Sequence, residues 1–391
     1  MKFFSTKLIA LLSVALIVNS APAVSANIPA IAADFPGISP VYVNLLTTIP
    51  SLFLVVGVFV TTIVERKLGQ RGTILFGLLI VSVFGTLPAW QHQNFWLIVA
   101  SRCLLGFGIG LFNRLLIQMI SQLFQSDQTK KAKALGLESA CEGLGGIFMT
   151  LAVGQLLKIN WTYSFWVYGA ALFSLFCVLL FIPKQQNQAD KNSASVQVTP
   201  ISFTRKRKTL LLGFILFWIV LLFINYNLQI TPLLIEQGIG DATAGSYMIA
   251  AIATGAFIAG NLFGFTFGRL NRWLLPLAAA LAGLSILGSC FSTSLPTSLA
   301  CSFILGFAFR NIMPYFMHIF TSGGEAVAKF GATVVLLAYN LGATAAPYAS
   351  RMISSISGSL AAETQLLITG SLLCSLALLT LVLSYFMKPI E

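Results

Sequence analysis

The sequence predicts an all-α integral membrane protein of twelve transmembrane helices in two six-helix bundles, and three observations predict it. Hydrophobic residues make up 57% of the chain and charged ones only 9%, against about 25% charged in a soluble domain. Apolar windows recur along the whole chain, each about the 20 residues that a helix needs to cross about 30 Å of hydrocarbon. One long polar stretch, residues 183–208, divides these windows into two equal sets.

In order, the windows fall at 6–27, 41–64, 72–90, 94–123, 133–157, 161–182, 209–235, 244–267, 273–291, 296–320, 328–350 and 364–387. The first resembles a secretory leader, with Lys2 followed by an apolar run and small residues. Cleavage after Ala23 or Ala26 would leave an odd number of spans, so the segment is expected to stay. The domain reading is a six-helix bundle over 1–182, a flexible cytoplasmic linker over 183–208 that ends in Arg205-Lys206-Arg207-Lys208, and a second bundle over 209–391.

Lysine and arginine set the orientation. Eighteen lie at one set of loop and terminal positions, among them Lys2, Lys7, Arg66, Lys67, Arg71, Lys130, Lys131, Lys133, Arg269 and Arg272, whereas the opposite side has only Lys158 and Arg351. The positive-inside rule then places both termini in the cytoplasm of a cell-membrane protein. The net charge of +12 is thereby an orientation signal in a lipid bilayer, and nucleic acid is excluded as a partner. All six cysteines sit within apolar runs without metal-ligand spacing, so neither a disulfide framework, a metal nor another cofactor is expected.

The two halves also echo each other. Leu105-Gly106-Phe107 in the fourth window recurs as Leu305-Gly306-Phe307 in the tenth, and basic loops follow the second and eighth windows alike. Repeated units of this kind build many transporters, whose substrate sites lie near the midplane between the repeats.

Against so apolar a background the buried charges stand out, since one at the bilayer centre costs about 2.5–3.5 kcal/mol on insertion scales. Arg102 lies about eight residues, roughly 12 Å, below the outer surface. Glu142, about nine residues from the inner end of the fifth window, is roughly 13.5 Å deep, which allows an Arg102–Glu142 pair near the midplane. Glu138, four residues earlier on the same helical face, would raise one carboxyl pKa by repulsion and make a site that binds and releases a proton. Arg114 falls near the cytoplasmic end, where it can serve a site or reach the headgroups. Arg310-Asn311 carries the deep charge of the second half and can meet an anionic substrate group. Asn225 and Asn227 are candidate cavity residues, although hydrogen bonding between helices explains them equally well.

At these residues the chain resembles the major facilitator superfamily of secondary transporters over essentially its whole length. Arg102-x-x-x-Gly106-x-Gly108-x-Gly110 is similar to the family's fourth-span arginine and small-residue ladder. Glu65-Arg66-Lys67-Leu68-Gly69-Gln70-Arg71 resembles in part its gating loop, with Arg66 where the family has an aspartate. Gly136 to Gly154 is similar to the fifth-span motif of the drug:proton antiporter branch, with Glu142-Gly143-Leu144 in place of the usual Gly-Pro. The resemblance implies alternating access, with Gly106, Gly108, Gly110, Gly143, Gly145 and Gly146 letting helices approach and slide.

The leading functional expectation is therefore proton-coupled efflux of small amphipathic compounds by a monomer, and 32 phenylalanines suit such cargo. The alternative is proton-coupled uptake or exchange of a small anion or polar metabolite, with Arg102 and Arg310 as lumenal cations. No nucleotide loop or nucleophile–base pair supports an enzyme.

Overall fold

The computed structural model describes residues 5–183, 202–321 and 325–386, and these are helical without a strand. They contain ten helical segments long and apolar enough to cross a membrane. Two compact units, Met1–Val196 and Gln197–Glu391, divide the chain inside the expected linker. Residues 184–201 of that linker lie outside the described residues.

In the first unit, α1 (Thr6–Val18) starts at Ser5, whose side chain accepts from the Leu8 amide, and it stops two residues before Ala21-Pro22. Proline supplies no amide proton to an α-helix, so the chain continues as a 3-10 stretch, Ala21–Asn27, and returns to α geometry in α2 (Ile28–Asp34). This break is buried at Ala23 to Asn27, so the residues that imitate a cleavage site pack into the unit. The expected first span at 6–27 thus runs to 34, with a break inside it.

Helix α3 (Pro40–Trp90) is 51 residues long, about 76 Å at an α-helical rise, and is far longer than a bilayer's hydrocarbon core. Its backbone leaves helical geometry at Gly69, where φ is 72°, a conformation that glycine adopts without a side-chain clash. The break falls in the loop expected between the second and third spans. Helix α4 (Phe95–Leu123) begins at Asn94, whose side chain accepts from the Trp96 amide at 2.9 Å. Helix α5 (Gln128–Leu157) begins at Asp127, which caps the Lys130 amide at 3.0 Å and pairs with the Lys130 ammonium at 2.8 Å. The hydrogen bond from Lys130 holds the exposed Asp127 carboxyl below the ordinary aspartate range. Last come a 3-10 stretch, Trp161–Gly169, and α6 (Ala170–Phe181).

The second unit is built from α7 (Phe203–Glu236), α8 (Ala242–Leu270), α9 (Leu274–Cys290), α10 (Leu295–Thr321), α11 (Glu325–Ser357) and α12 (Ala362–Phe386). Helix α7 begins six residues before the expected span, so Arg205 to Lys208 form its first turns rather than the end of a flexible linker. Between α8 and α9 the chain turns at Asn271, the non-glycine residue with positive φ among those described. Each unit has its own apolar core, centred on Leu105, Phe112 and Phe165 in the first and on Ile219, Leu305 and Phe316 in the second.

Candidate functional site

Arg102 on α4 is fully buried, and its position follows from two helix defects in neighbouring elements. Pro50 lies inside α3 and offers no amide proton to the Leu46 carbonyl four residues earlier. That oxygen accepts instead from Arg102 Nε at 3.0 Å. In the 3-10 break of the first span, the Ala21 carbonyl accepts from Arg102 Nη2 at 2.7 Å. The guanidinium also lies 5.1 Å from the Tyr168 ring centroid and 5.9 Å from that of Phe165. Tyr168 in turn donates from its hydroxyl to the Ser20 carbonyl at 3.1 Å.

The expected Arg102–Glu142 pair is therefore replaced. Depth alone allowed it, but the bonding of Arg102 goes to the α3 and 3-10 carbonyls and to two aromatic faces. Glu142 is half-buried on α5, and Glu138 is buried one turn before it.

Close backbone approach surrounds Arg102. A Cβ on Gly106 would fall inside the van der Waals contact of the Pro50 carbonyl oxygen, one on Gly110 inside that of Leu54, and one on Gly145 inside that of Leu16. Gly108 faces the Gly77 carbonyl, whereas Gly146 meets Asn19 only at ordinary contact distance and Gly143 is half-buried on the same helix. Close approach is thus observed at four of the six glycines singled out in the sequence.

In the expected gating loop, Gly69 makes the backbone break. Arg71 Nη2 donates to the Leu179 carbonyl at 2.8 Å, near the end of α6 where helix carbonyls lack partners. Glu65 is half-buried and Arg66 exposed, and neither has a hydrogen bond or ion pair among the described residues. Arg114 is exposed and reaches Thr62 at 3.5 Å.

The second unit uses neutral groups where the first uses a charge. Tyr226 is fully buried, with its hydroxyl 2.9 Å from Ser289 Oγ and 2.8 Å from Ser302 Oγ. Asn225 donates to Thr369 at 2.8 Å, Asn227 to the Phe223 carbonyl of its own helix at 3.0 Å, and Gln229 to Ser350 and Gln365 at 2.9 Å each. Interhelical bonding thus occupies the Asn225 amide, while Asn227 bonds back along α7.

Arg310 on α10 is half-buried, and its Nε would lie 3.6 Å from a Cβ on Gly260 of α8. Its neighbour Asn311 accepts from Thr266 at 2.7 Å and donates to the Phe307 carbonyl at 2.9 Å. Aromatic rings adjoin it: Phe309 stacks on Phe223 at 3.6 Å between centroids, and Tyr339 of α11 lies 6.5 Å from Phe309.

The family profile described as Major Facilitator Superfamily matches residues 8–347. The chain belongs to this superfamily. It is a membrane transporter rather than an enzyme. Solved relatives share the fold at low identity. The inward-open xylose transporter XylE from E. coli is 14% identical, with a TM-score of 0.72 over 97% of this chain and 96% of that one. A bacterial homologue of the human lysosomal transporter Spinster is 15% identical, with a TM-score of 0.76 over 99% and 98%. The peptide transporter POT is 13% identical, with a TM-score of 0.75 over 98% and 95%. Among curated sequences, Sugar phosphate exchanger 3 of Gallus gallus is 31% identical over 156 residues. That match spans 36% of this chain and 30% of the exchanger's length.

Sequence reasoning missed two groups in this superfamily member. Asp34, beyond the expected first window, accepts from Trp161 Nε1 at 2.5 Å and ties the end of the first span to the start of the sixth. Tyr168 was not singled out, because nothing in an apolar run marks which tyrosine will face a buried arginine.

Proposed function

We propose that this transporter carries a small organic anion across the cell membrane by proton-coupled uptake or exchange. The observation that supports this most is the sign of the deep charge in the second unit: Arg310, half-buried on α10 beside Asn311 and Thr266. An arginine offers a planar fork suited to phosphate or carboxylate oxygens. The partial match to a protein named as a sugar phosphate exchanger points the same way.

In this reading Arg102 keeps the first unit's broken span in place, while Glu142, with Glu138 beside it, takes up and releases the coupling proton. Asn225 and Asn227 set the packing of α7 behind the cavity. The segments Pro40–Trp90 and Ala242–Cys290 each cross the membrane twice, which makes twelve crossings with both termini cytoplasmic, and the working unit is a monomer. Gly106, Gly108, Gly110, Gly143, Gly145 and Gly146 let the helices slide, and Glu65, Arg66, Gly69 and Arg71 form the cytoplasmic gate.

A second reading, proton-coupled efflux of amphipathic compounds, is favoured by the Phe223–Phe309 stack next to Arg310. Purified protein in liposomes separates the two. Phosphate-loaded vesicles should accumulate an external hexose monophosphate by counterflow, and a pH gradient should drive its net movement. Accumulation of lipophilic cationic dyes instead, with no anion counterflow, would establish efflux. Glu142→Gln should abolish the pH-driven component and keep counterflow.

A further inference from the structure

Two guanidiniums at the turn between α8 and α9 are held by aromatic rings and by no oxygen of the protein. Arg269, in the last turn of α8, lies over the Phe265 ring at 4.8 Å from its centroid. Arg272, in the 3-10 turn Asn271–Trp273, lies over the Trp273 ring at 5.2 Å. Neither has a hydrogen bond or ion pair among the described residues. The corresponding loop of the first unit spends its arginine differently: Arg71 donates to the Leu179 carbonyl at 2.8 Å. A cation–π contact holds a guanidinium by its charge and leaves its N–H donors open. Both arginines are exposed, and so are their rings, Phe265 at 60% and Trp273 at 39%.

The surroundings of this turn suit a lipid headgroup. The apolar segment Ala242–Cys290 has 49 residues, about 73 Å at an α-helical rise against about 30 Å of hydrocarbon, and the chain turns near its middle, where Asn271 has a φ of 43°. Exposed guanidiniums at that turn belong at a membrane surface, because a charge in hydrocarbon is costly. No carboxylate competes for them from the described side chains of this unit: Glu236 and Glu363 stand with Asp241 at the far end of α8, about 42 Å along that helix from Arg269. Next to Phe265 and Arg269, the exposed Gly264 and Gly268 have open space where a Cβ would stand, which leaves a smooth strip one helical turn long.

We propose that the α8–α9 turn binds an anionic phospholipid, with Arg269 and Arg272 on the headgroup phosphate and the Gly264–Gly268 strip against the acyl chain. A diester phosphate offers two free oxygens to a guanidinium fork. Phosphatidylglycerol keeps its net negative charge, whereas phosphatidylcholine brings a cation that two arginines repel. The site is independent of the cargo and of its coupling.

Native mass spectrometry of the detergent-solubilised full chain, titrated with phosphatidylglycerol or phosphatidylcholine, tests this. One phosphatidylglycerol should bind more tightly than all others, and about tenfold more tightly than phosphatidylcholine. The double variant Arg269→Lys with Arg272→Lys keeps both charges and loses both forks, at exposed positions that tolerate the change. It should weaken that tightest lipid about tenfold, while millimolar inorganic phosphate should not displace the lipid from the native protein. Native-like lipid affinity in the double variant would mean diffuse attraction to basic residues and overturns the inference. Equal binding of the two lipids overturns it as well, and displacement by inorganic phosphate would make the turn a site for the free ion instead.

Discussion

The fourth and tenth spans, at equivalent points of the two halves, solve the same packing problem with opposite chemistry. Gly106 lets α4 touch the Pro50 carbonyl of α3, and Gly306 lets α10 touch the Ile252 carbonyl of α8. Four residues earlier the halves diverge. Arg102 donates to the Leu46 carbonyl, whereas Ser302 donates to the Met248 sulfur at 3.3 Å and shares a hydrogen bond with Tyr226. The difference follows from Pro50: a proline in α3 exposes a carbonyl that needs a strong donor, and α8 has no proline. A repeat can thus keep its backbone contacts while one copy acquires a buried charge.

Arg102→Ala is the change that should break this comparison most severely. It leaves the Leu46 and Ala21 carbonyls without their donor, at about 1–3 kcal/mol each. Detergent-solubilised Arg102→Ala should therefore melt far below the native protein, whereas Ser302→Ala should stay close to it; equal losses would show that the arginine does not hold the first unit. Arg102→Lys should fall between, because one ammonium replaces a fork that spans two elements.

Next in size, Gly106→Ala and Gly306→Ala should each destabilise by about 1–3 kcal/mol through overpacking against a carbonyl. Comparable losses in thermal unfolding would support the equivalence of the two contacts, and a tolerated alanine at either position would break it. Tyr226→Phe should cost about 1 kcal/mol, since Ser289 keeps its bond to the Ser285 carbonyl and Ser302 its contact with Met248.

The smallest effect concerns helix starts. Asp127 and Asp241 both cap a backbone amide, at 3.0 and 2.8 Å, but only Asp127 is paired with a lysine among the described residues. Because its folded pKa is depressed, its contribution is present above the ordinary aspartate pKa and is lost as pH falls through the lowered value. Asp127→Asn should leave the melting temperature at pH 7 nearly unchanged, as surface pairs contribute little, and should flatten the acid limb of the stability curve. A large loss at neutral pH would mean that the pair does more than cap.

Much of the architecture was legible because a bilayer leaves few options: apolar windows, the polar divider and the recurring Leu-Gly-Phe are read from composition and spacing alone. The glycine ladder of α4 was legible too, since small residues at helical spacing mark close approach. Partners of the buried charges were not. Depth along two helices placed Arg102 and Glu142 at one level, but level says nothing about azimuth, and the guanidinium turned toward carbonyls freed by Pro50 and by the 3-10 break.

By itself, then, the sequence determined the helical membrane class, the two-part division and where small residues allow close approach, because hydrophobic length and side-chain size are local properties. Only the tertiary structure decided that Arg102 clamps Leu46 and Ala21 and that Asp34 holds Trp161. Each of these depends on the rotation of one helix about its axis relative to its neighbours. That angle is fixed by the sum of many packing contacts, and no single residue encodes it.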